Sequence, residues 1–247
     1  MFIYGKNAAI ESLKVNKNIK KIFILKKNTR RDEDTIKKIA KEKQIEIIEM
    51  SLSELNEKFG SNHQGVVVEV AEYNYVDLDK LLNEINNQEH ATVVLLDGLE
   101  DPHNLGAIMR TADATGIDGI IIPKNRSVSL NQTVAKVSTG AIEYVKVSQV
   151  TNLVQTINKL KSVGFWIIGL DMKGSIDYRK QDYKGKIAIV IGSEGFGISR
   201  LVKENCDFFV NIPMIGHITS LNASVSASII FYEIMRISFN ICIILLS

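Results

Sequence analysis

Apolar and polar positions follow two different periods along the chain, and together they predict an α/β protein. Short runs of consecutive apolar residues, typical of strands buried on both faces, are separated by stretches with the 3.6-residue apolar period of helices. In the second part of the chain, strands are predicted at residues 93–97, 119–123, 143–147, 165–170, 186–191 and 207–212. This alternation is typical of a mostly parallel sheet that is covered by helices on both faces.

The first 72 residues carry a shorter series of the same kind and predict a small α/β domain, residues 1–72. Its strands are expected at 20–25, 45–48 and 66–70, with helices between them. Ser51 and Glu54 have the spacing of a helix capping box, and Gly60 is expected to end that helix. A polar linker is predicted at residues 73–76, followed by a second domain at residues 77–247.

Charge changes this picture only locally, because the formal net charge is +2. Nine of the first 31 residues are Lys or Arg, and Glu11 is the one acidic residue among them. A local positive field of this kind attracts phosphate. A solvated face in a lysine-rich protein gives the same pattern, so charge alone leaves both interpretations open.

Cysteine usage and the chain ends indicate a cytoplasmic protein without a membrane segment. Cys206 and Cys242 match no metal-ligand spacing, so neither a disulfide framework nor a metal site is expected. The N-terminus shows no signal-peptide pattern. The apolar stretch at 237–246 is about half of the ~20 residues that span a bilayer.

A first candidate loop follows the strand that ends at Asp97 and leads into an amphipathic helix at 105–115. Asn104 stands where a helix N-cap is expected, and Arg110 lies six residues further on. A guanidinium in this place can hold a phosphate or a ribose in a fixed fork. Taken alone, such an Asn and Arg are more often a plain helix cap and a surface residue.

A second candidate loop is glycine-rich, since residues 192–197 read Gly-Ser-Glu-Gly-Phe-Gly after an apolar strand. This G-x-x-G-x-G spacing differs from the dinucleotide-binding fingerprint, which disfavours a nucleotide-dependent oxidoreductase. Glu194 would also repel a phosphate held in the turn. The alternative for this loop is a simple strand–turn–helix corner with an exposed glutamate.

A third segment, residues 209–228, joins a strand stopped by Pro213 to a run of small residues that opens the last predicted helix. Small side chains permit close backbone approach, while Ser220 and Asn222 can supply hydroxyl and amide groups at a helix N-terminus. Loops at the carboxyl ends of parallel strands are where α/β proteins bind their ligands. The three segments are therefore expected to form one site.

Taken together, these segments closely resemble the three motifs of the SpoU (TrmH) family of ribose 2′-O-methyltransferases. Residues 101–111 read Asp-Pro-His-Asn-Leu-Gly-Ala-Ile-Met-Arg-Thr and are followed by the glycine loop and by Ser-Leu-Asn-Ala-Ser-Val at 220–225. The resemblance implies S-adenosylmethionine as cofactor, a trefoil-knotted α/β methyltransferase domain, a homodimer and no metal. His63-Gln64-Gly65 and residues 137–141 are similar to the RlmB-like branch.

That branch implies a guanosine of large-subunit (23S) ribosomal RNA as the substrate, with the small N-terminal domain as a ribosomal-protein-like RNA binder. Transfer RNA as substrate, and a non-catalytic RNA-binding protein of the same fold, remain alternatives. The resemblance carries over Asn104, Arg110, Glu194, Ser220 and Asn222 as catalytic residues, and Gly192, Ile212 and Leu221 as cofactor contacts. Because arginine stays protonated in proteins, we expect Arg110 to position phosphate and ribose, with Glu194 and Asn222 orienting Arg110 or the ribose.

Overall fold

The computed structural model describes residues 2–15, 19–26, 31–70, 73–172, 174–218 and 220–238. They form two compact units, one reaching up to Tyr73 and the other starting at Asn74. Three of the basic residues near the N-terminus, Lys17, Lys27 and Arg30, lie outside the described residues, as do Cys242 and the apolar end from residue 239 onward.

The first unit is a four-stranded sheet with helices on both faces. The strand order is β1-β4-β2-β3, in which β2 and β3 run parallel and the other pairs antiparallel. Its elements are β1 (Phe2–Tyr4), α1 (Lys6–Val15), β2 (Ile19–Leu25), α2 (Arg31–Glu42), β3 (Glu46–Met50), α3 (Leu52–Phe59) and β4 (Val66–Val70). Alternate residues of β2 point to opposite faces, so Ile22 and Ile24 pack with α1 and α2 residues while Phe23 packs with Leu55 of α3.

Local signals in this unit act as the sequence predicts. The Ser51 side chain accepts a hydrogen bond from the backbone of Glu54, and the Glu54 carboxylate accepts one from the backbone of Ser51, which completes the capping box. Gly60, with φ of 77°, ends the helix. His63 is buried in the next turn, where Nδ1 accepts from Gly65 N at 2.9 Å.

The second unit is a seven-stranded, entirely parallel sheet with helices on both faces, which confirms the predicted mostly parallel α/β architecture. Its strands are β5 (Ala91–Asp97), β6 (Gly119–Pro123), β7 (Val147–Val150), β8 (Trp166–Leu170), β9 (Ile176–Asp177), β10 (Lys186–Gly192) and β11 (Phe208–Asn211). Its α-helices are α4 (Leu78–Ile85), α5 (Pro102–Thr115), α6 (Gln132–Val137), α7 (Leu153–Ser162), α8 (Arg200–Lys203) and α9 (Ala223–Ser238).

The strand order β7-β6-β5-β10-β8-β11-β9 places a topological switch between β5 and β10. From β5 the chain first adds β6 and β7 on one side, and β8, β9, β10 and β11 then form the other side. The two central strands are paired from end to end, with Asp97 opposite Gly192 at their carboxyl ends. Ligands of open parallel sheets bind outside the carboxyl ends of strands at such a switch.

One predicted strand is wrong. Residues 143–147 were expected to be extended, but residues 141–143 form a short 3-10 helix after Gly140, whose φ is 100°. The strand starts only at Val147, which pairs with Ile120 of β6. The left-handed conformation at Gly140 turns the chain, and Ala141 and Val145 then pack into the core beneath α5.

Within the described part of the chain, no helix is both long enough and apolar enough to cross a membrane.

Candidate active site

Two loops are brought together by the pairing of β5 with β10. Asp97 and Gly192 are register partners at the ends of these strands, so the segments that follow them start side by side. The Asp97 carboxylate accepts a hydrogen bond from Ser199 N at 2.7 Å, which ties the end of the glycine loop back to β5. The loops that the sequence singled out therefore meet at the switch point.

The start of α5 differs from the prediction. Asp101, not Asn104, is the N-cap, because its carboxylate accepts from His103 N at 2.9 Å and Pro102 occupies the first helical position. Proline is favoured there, since that N–H would have no partner within the helix. Asn104 consequently lies inside the helix, with only 4% of its surface exposed, and its carboxamide is available to bind another loop.

The centre of the site is a hydrogen-bonded trio of Asn104, Glu194 and Asn222. Asn104 Nδ2 donates to Glu194 Oε1 at 3.0 Å, and Asn222 Nδ2 donates to the same oxygen at 2.5 Å. Asn222 Nδ2 also lies 2.9 Å from Asn104 Oδ1. One carboxylate thus joins α5, the glycine loop and the segment before α9.

Asn222 has a second function as the cap of α9. Its Oδ1 accepts hydrogen bonds from Ser224 N at 2.9 Å and from Val225 N at 3.4 Å. Glu194 Oε1 accepts from Ala223 N at 3.4 Å, which places its negative charge at the helix N-terminus, where the macrodipole favours it. The prediction that Asn222 serves a helix N-terminus is confirmed by these contacts.

A cavity of about 540 Å³ opens beside this trio at the carboxyl end of the sheet. Its wall includes Glu194 and Ser220 together with the three residues expected to contact a cofactor, Gly192, Ile212 and Leu221. Asn104, Arg110 and Asn222 are not part of the wall. Of the eight site residues predicted from the sequence, five therefore line one cavity, two (Asn104 and Asn222) contact Glu194 without lining it, and Arg110 does neither.

Gly192 is needed for the shape of this wall. A Cβ atom added to it would lie 2.1 Å from the carbonyl carbon of Gly197, a distance that real Cβ atoms do not reach. Ser193 N donates to Gly197 O at 3.1 Å and Gly197 N donates to Ser193 O at 2.9 Å, which closes the loop on itself. The close approach at Gly192 is therefore with its own loop.

Two charged residues of the wall were missed in the sequence. Asp171 directly follows β8, and its Oδ2 lies 2.7 Å from Nζ of Lys203 in α8. Both line the cavity. A polar residue immediately after a buried strand was the available signal for Asp171, since that edge of the sheet carries the site; Lys203 had no comparable signal.

The wall suits S-adenosylmethionine in size and charge. The cavity volume falls within the range of about 300–1,000 Å³ that is usual for small-molecule sites. Its charged residues are Asp171, Glu194 and Lys203, so the acidic groups exceed the basic ones by one. S-adenosylmethionine carries a sulfonium, an ammonium and one carboxylate, and its excess positive charge complements that wall.

Arg110 lies apart from the trio. It is exposed on α5, about 9 Å along the helix axis from Asn104 at the usual rise per residue. Among the described residues its guanidinium makes no hydrogen bond or ion pair. Glu194 and Asn222 contact Asn104 and not Arg110.

His103 and His217 are exposed and do not line the cavity. In the same described part, no group of three or more His, Cys, Asp or Glu side chains is arranged to hold a metal ion.

Two family models match the chain, and residues 77–90 lie between the two matches. The model of the SpoU rRNA Methylase family matches residues 91–232, and that of RNA 2'-O ribose methyltransferase substrate binding matches residues 2–76. The first match contains the whole cavity wall, and the second matches the four-stranded unit.

Individual proteins that are similar in sequence or in structure carry the same family names. A Staphylococcus aureus (strain MSSA476) protein that carries the name TrmH family tRNA/rRNA methyltransferase is 50% identical over 235 residues, 95% of each chain. The crystal structure of the SpoU methyltransferase AviRb from Streptomyces viridochromogenes in complex with AdoMet is 25% identical with a TM-score of 0.69, covering 97% of this chain and 90% of that one. The A. aeolicus TrmH/SpoU tRNA modifying enzyme is 30% identical with a TM-score of 0.57, covering 66% and 85%.

Proposed function

This chain belongs to the SpoU rRNA methylase family of RNA methyltransferases, and we propose that it methylates a ribose 2′-hydroxyl of a guanosine in large-subunit (23S) ribosomal RNA with S-adenosylmethionine. The observation that carries the proposal is the cavity at the switch point, with Glu194 held in its wall by Asn104 and Asn222. The AdoMet complex of the structurally similar AviRb protein supports the same cofactor here.

Gly192, Ile212 and Leu221 are proposed to hold the cofactor. Ile212 and Leu221 provide apolar surface for an adenine ring, and Gly192 lets the loop close into a wall. When bound, S-adenosylmethionine supplies a methyl group activated by a sulfonium centre. The protein must then align the ribose hydroxyl and provide a path for its proton.

Arg110 is proposed to position the substrate by binding a phosphate next to the target ribose. Its exposure and the absence of a partner among the described residues leave all five N–H donors available to RNA. Glu194 is proposed to orient the ribose, since two carboxamides fix its Oε1 atom. Its other oxygen accepts no hydrogen bond from the residues that the structure describes and can accept one from a hydroxyl. Ser220, exposed on the cavity wall, adds a hydroxyl donor on the same side.

The first unit is proposed to bind RNA for the second. The match of residues 2–76 to a substrate-binding family model supports this division. The boundaries expected from the sequence, residues 1–72 and 77–247, stay part of the proposal. Lys14, Lys20 and Lys26 are exposed on this unit, whereas Lys21 and Lys37 are paired with Glu46 and Glu49. The exposed lysines are therefore the ones expected to bind phosphate.

A homodimer, a trefoil knot and a cytoplasmic location complete the proposal. Val225 and Tyr232 lie seven residues apart on α9 and are 46% and 45% exposed, which supports an apolar contact between two copies along this helix. Sedimentation equilibrium of the full chain tests the dimer.

The position of α9 supports the knot. Thr111 Oγ1 lies 2.9 Å from Ser228 Oγ, so α9 returns against α5, as expected for a chain end that is threaded beside the first loop.

Methyl transfer to defined RNA tests the central proposal. The full-length protein, labelled S-adenosylmethionine, and ribosomal or transfer RNA from cells lacking the gene are incubated, and the 2′-O-methyl groups are mapped. We expect one guanosine of large-subunit RNA to be labelled. Labelling of transfer RNA alone would change the substrate but not the chemistry. RNA binding without any transfer would overturn the proposal in favour of a non-catalytic binding protein.

A further inference from the structure

Phe196 is a large apolar residue of the cavity wall that is almost fully exposed to solvent. It is 98% exposed, and its ring makes no aromatic contact with any residue that the structure describes. Burial of such a ring normally contributes to folding, so its position at the tip of a loop brings the isolated chain no packing benefit. The ring nevertheless lies at a cavity that a substrate must approach.

The loop that carries Phe196 is held in place on both sides. The two hydrogen bonds between Ser193 and Gly197 close it, and the backbone of Gly197 packs directly against Gly192. Just beyond it, Ser199 N donates to Asp97 at 2.7 Å. The backbone that carries the ring is thus held in one conformation, so less conformational entropy is lost when a partner binds.

The same short loop contains Glu194, the centre of the hydrogen-bonded trio. Only Gly195 separates Glu194 from Phe196 in the chain, so their Cα atoms are no more than about 7 Å apart. A ribose that reaches Glu194 brings its own base and its neighbours' bases to the mouth of the cavity. A nucleotide taken out of a helix needs a flat apolar surface for its base, and aromatic side chains provide it.

We propose that Phe196 is a positioning residue that stacks on an unpaired base of the RNA substrate at the mouth of the cavity. The inference rests on the proposed function and adds the feature of the RNA that is recognised. The loop favours a base over a protein partner, because the ring is flanked by Gly195, Gly197 and a carboxylate. These neighbours offer a protein little apolar surface, whereas a base needs only one ring face.

Three substitutions separate stacking from other contacts. Phe196→Ala removes the ring, Phe196→Leu keeps apolar volume without a π-face, and Phe196→Tyr keeps the ring. Leu201→Ala is the matched control, since Leu201 is 55% exposed in α8 and does not line the cavity. Each full-length variant is assayed for methyl transfer at varied concentrations of RNA from cells lacking the gene, and for S-adenosylhomocysteine binding by calorimetry.

We expect Phe196→Ala and Phe196→Leu to raise KM for RNA by about 10- to 100-fold, the effect of losing one stacked base. Their kcat at saturating RNA and their S-adenosylhomocysteine affinity should stay within about twofold of wild type, because the ring holds RNA and not the cofactor. Phe196→Tyr and Leu201→Ala should behave as wild type.

Several results would overturn the inference while leaving the proposed function intact. The first is an unchanged KM for RNA in Phe196→Ala, and the second is a wild-type KM in Phe196→Leu. The others are weaker S-adenosylhomocysteine binding by Phe196→Ala, or a change in its sedimentation, which would assign the ring to a contact between protein chains. A wild-type protein that methylates no RNA would instead overturn the proposed function and this inference with it.

Discussion

Asn222 Nδ2 lies 2.5 Å from Glu194 Oε1, although 28 residues separate the two in the chain. Asn104 lies 90 residues before Glu194 in the chain and donates to the same oxygen at 3.0 Å. This carboxylate accepts from two carboxamides at the entrance of a cavity, and it also caps α9 through Ala223 N. Its geometry thus depends on three segments at once.

Substitutions in this trio are expected to be non-additive. Asn104→Ala and Glu194→Ala each remove the same hydrogen bond, so the double variant should lose less unfolding free energy than the sum of the single ones. The expected coupling is about 0.5–3 kcal/mol. Urea denaturation of the four proteins measures it.

A matched pair without a shared contact provides the control for that cycle. Leu201 is exposed, so Asn104→Ala and Leu201→Ala should lower the free energy of unfolding by amounts that add in the double variant. Additive losses in the Asn104–Glu194 pair would show that the hydrogen bond contributes nothing to the free energy of unfolding.

Arg110→Ala is expected to reduce methyl transfer by at least about 100-fold, the size usual for the loss of a group that positions substrate or assists proton transfer. Its thermal stability and its affinity for S-adenosylhomocysteine should be unchanged, since the side chain is exposed and lies outside the cavity wall. Single-turnover kinetics and calorimetry measure the two effects separately.

Arg110→Lys tests how the guanidinium acts. Lysine keeps the positive charge but lacks the planar fork, so it should restore little activity if the fork binds phosphate through two bonds. Normal turnover in Arg110→Ala would remove this residue from the mechanism, whatever the lysine variant does.

Gly192→Ala is expected to weaken S-adenosylhomocysteine binding by roughly tenfold or more, because the added Cβ would lie 2.1 Å from the Gly197 carbonyl carbon and the loop would have to move. Gly195→Ala is the control in the same loop, where an added Cβ would meet no atom within 4 Å. Calorimetric titration of both variants measures the difference, and equal affinities would contradict the assigned role of Gly192.

Cys206 is expected to be unreactive in the folded protein. Burial, followed by the nearby Asp207 carboxylate, raises the pKa of its thiol to about 12, and Sγ donates to Val202 O at 3.4 Å. Since the thiolate is the reactive form, iodoacetamide at pH 8 should modify it only after denaturation. A Cys242→Ser variant isolates this thiol for mass spectrometry.

The same shift has a consequence for stability. The folded thiol ionises at a higher pH than the unfolded one, so its contribution is present below the ordinary pKa of 9.0 and is lost as pH rises from there to about 12. Cys206→Ala should therefore flatten the alkaline fall in unfolding free energy. An identical fall in both proteins would contradict the raised pKa.

Exposed lysines of the first unit should set the salt dependence of RNA binding. Changing Lys20 and Lys26 to Glu is expected to weaken binding and to flatten the slope of log affinity against log salt, because fewer counterions are released from RNA. Lys37, already paired with Glu49 at 3.0 Å, is the control site. An unaltered slope in filter-binding assays would assign Lys20 and Lys26 to a solvated surface.

The sequence by itself determined the features that depend on neighbouring residues. The apolar runs of β4 and β6, the Ser51 capping box and the end of α3 at Gly60 were all predicted, because periodicity and caps are set within a few positions. The three coupled motifs also identified the family, since each keeps its residues in a fixed local order.

Only the tertiary structure decided how these local features combine. The meeting of Asn104, Glu194 and Asn222 requires β5 and β10 to pair in one register and α9 to return to α5, and such long-range packing leaves no periodic signal. Asp101 took the cap predicted for Asn104 for a local reason, because Pro102 follows it at the first helical position. Lys203, by contrast, entered the wall from a helix that was not predicted. Hydrogen bonds across 28 to 90 residues form only after the sheet has set the distances between its loops.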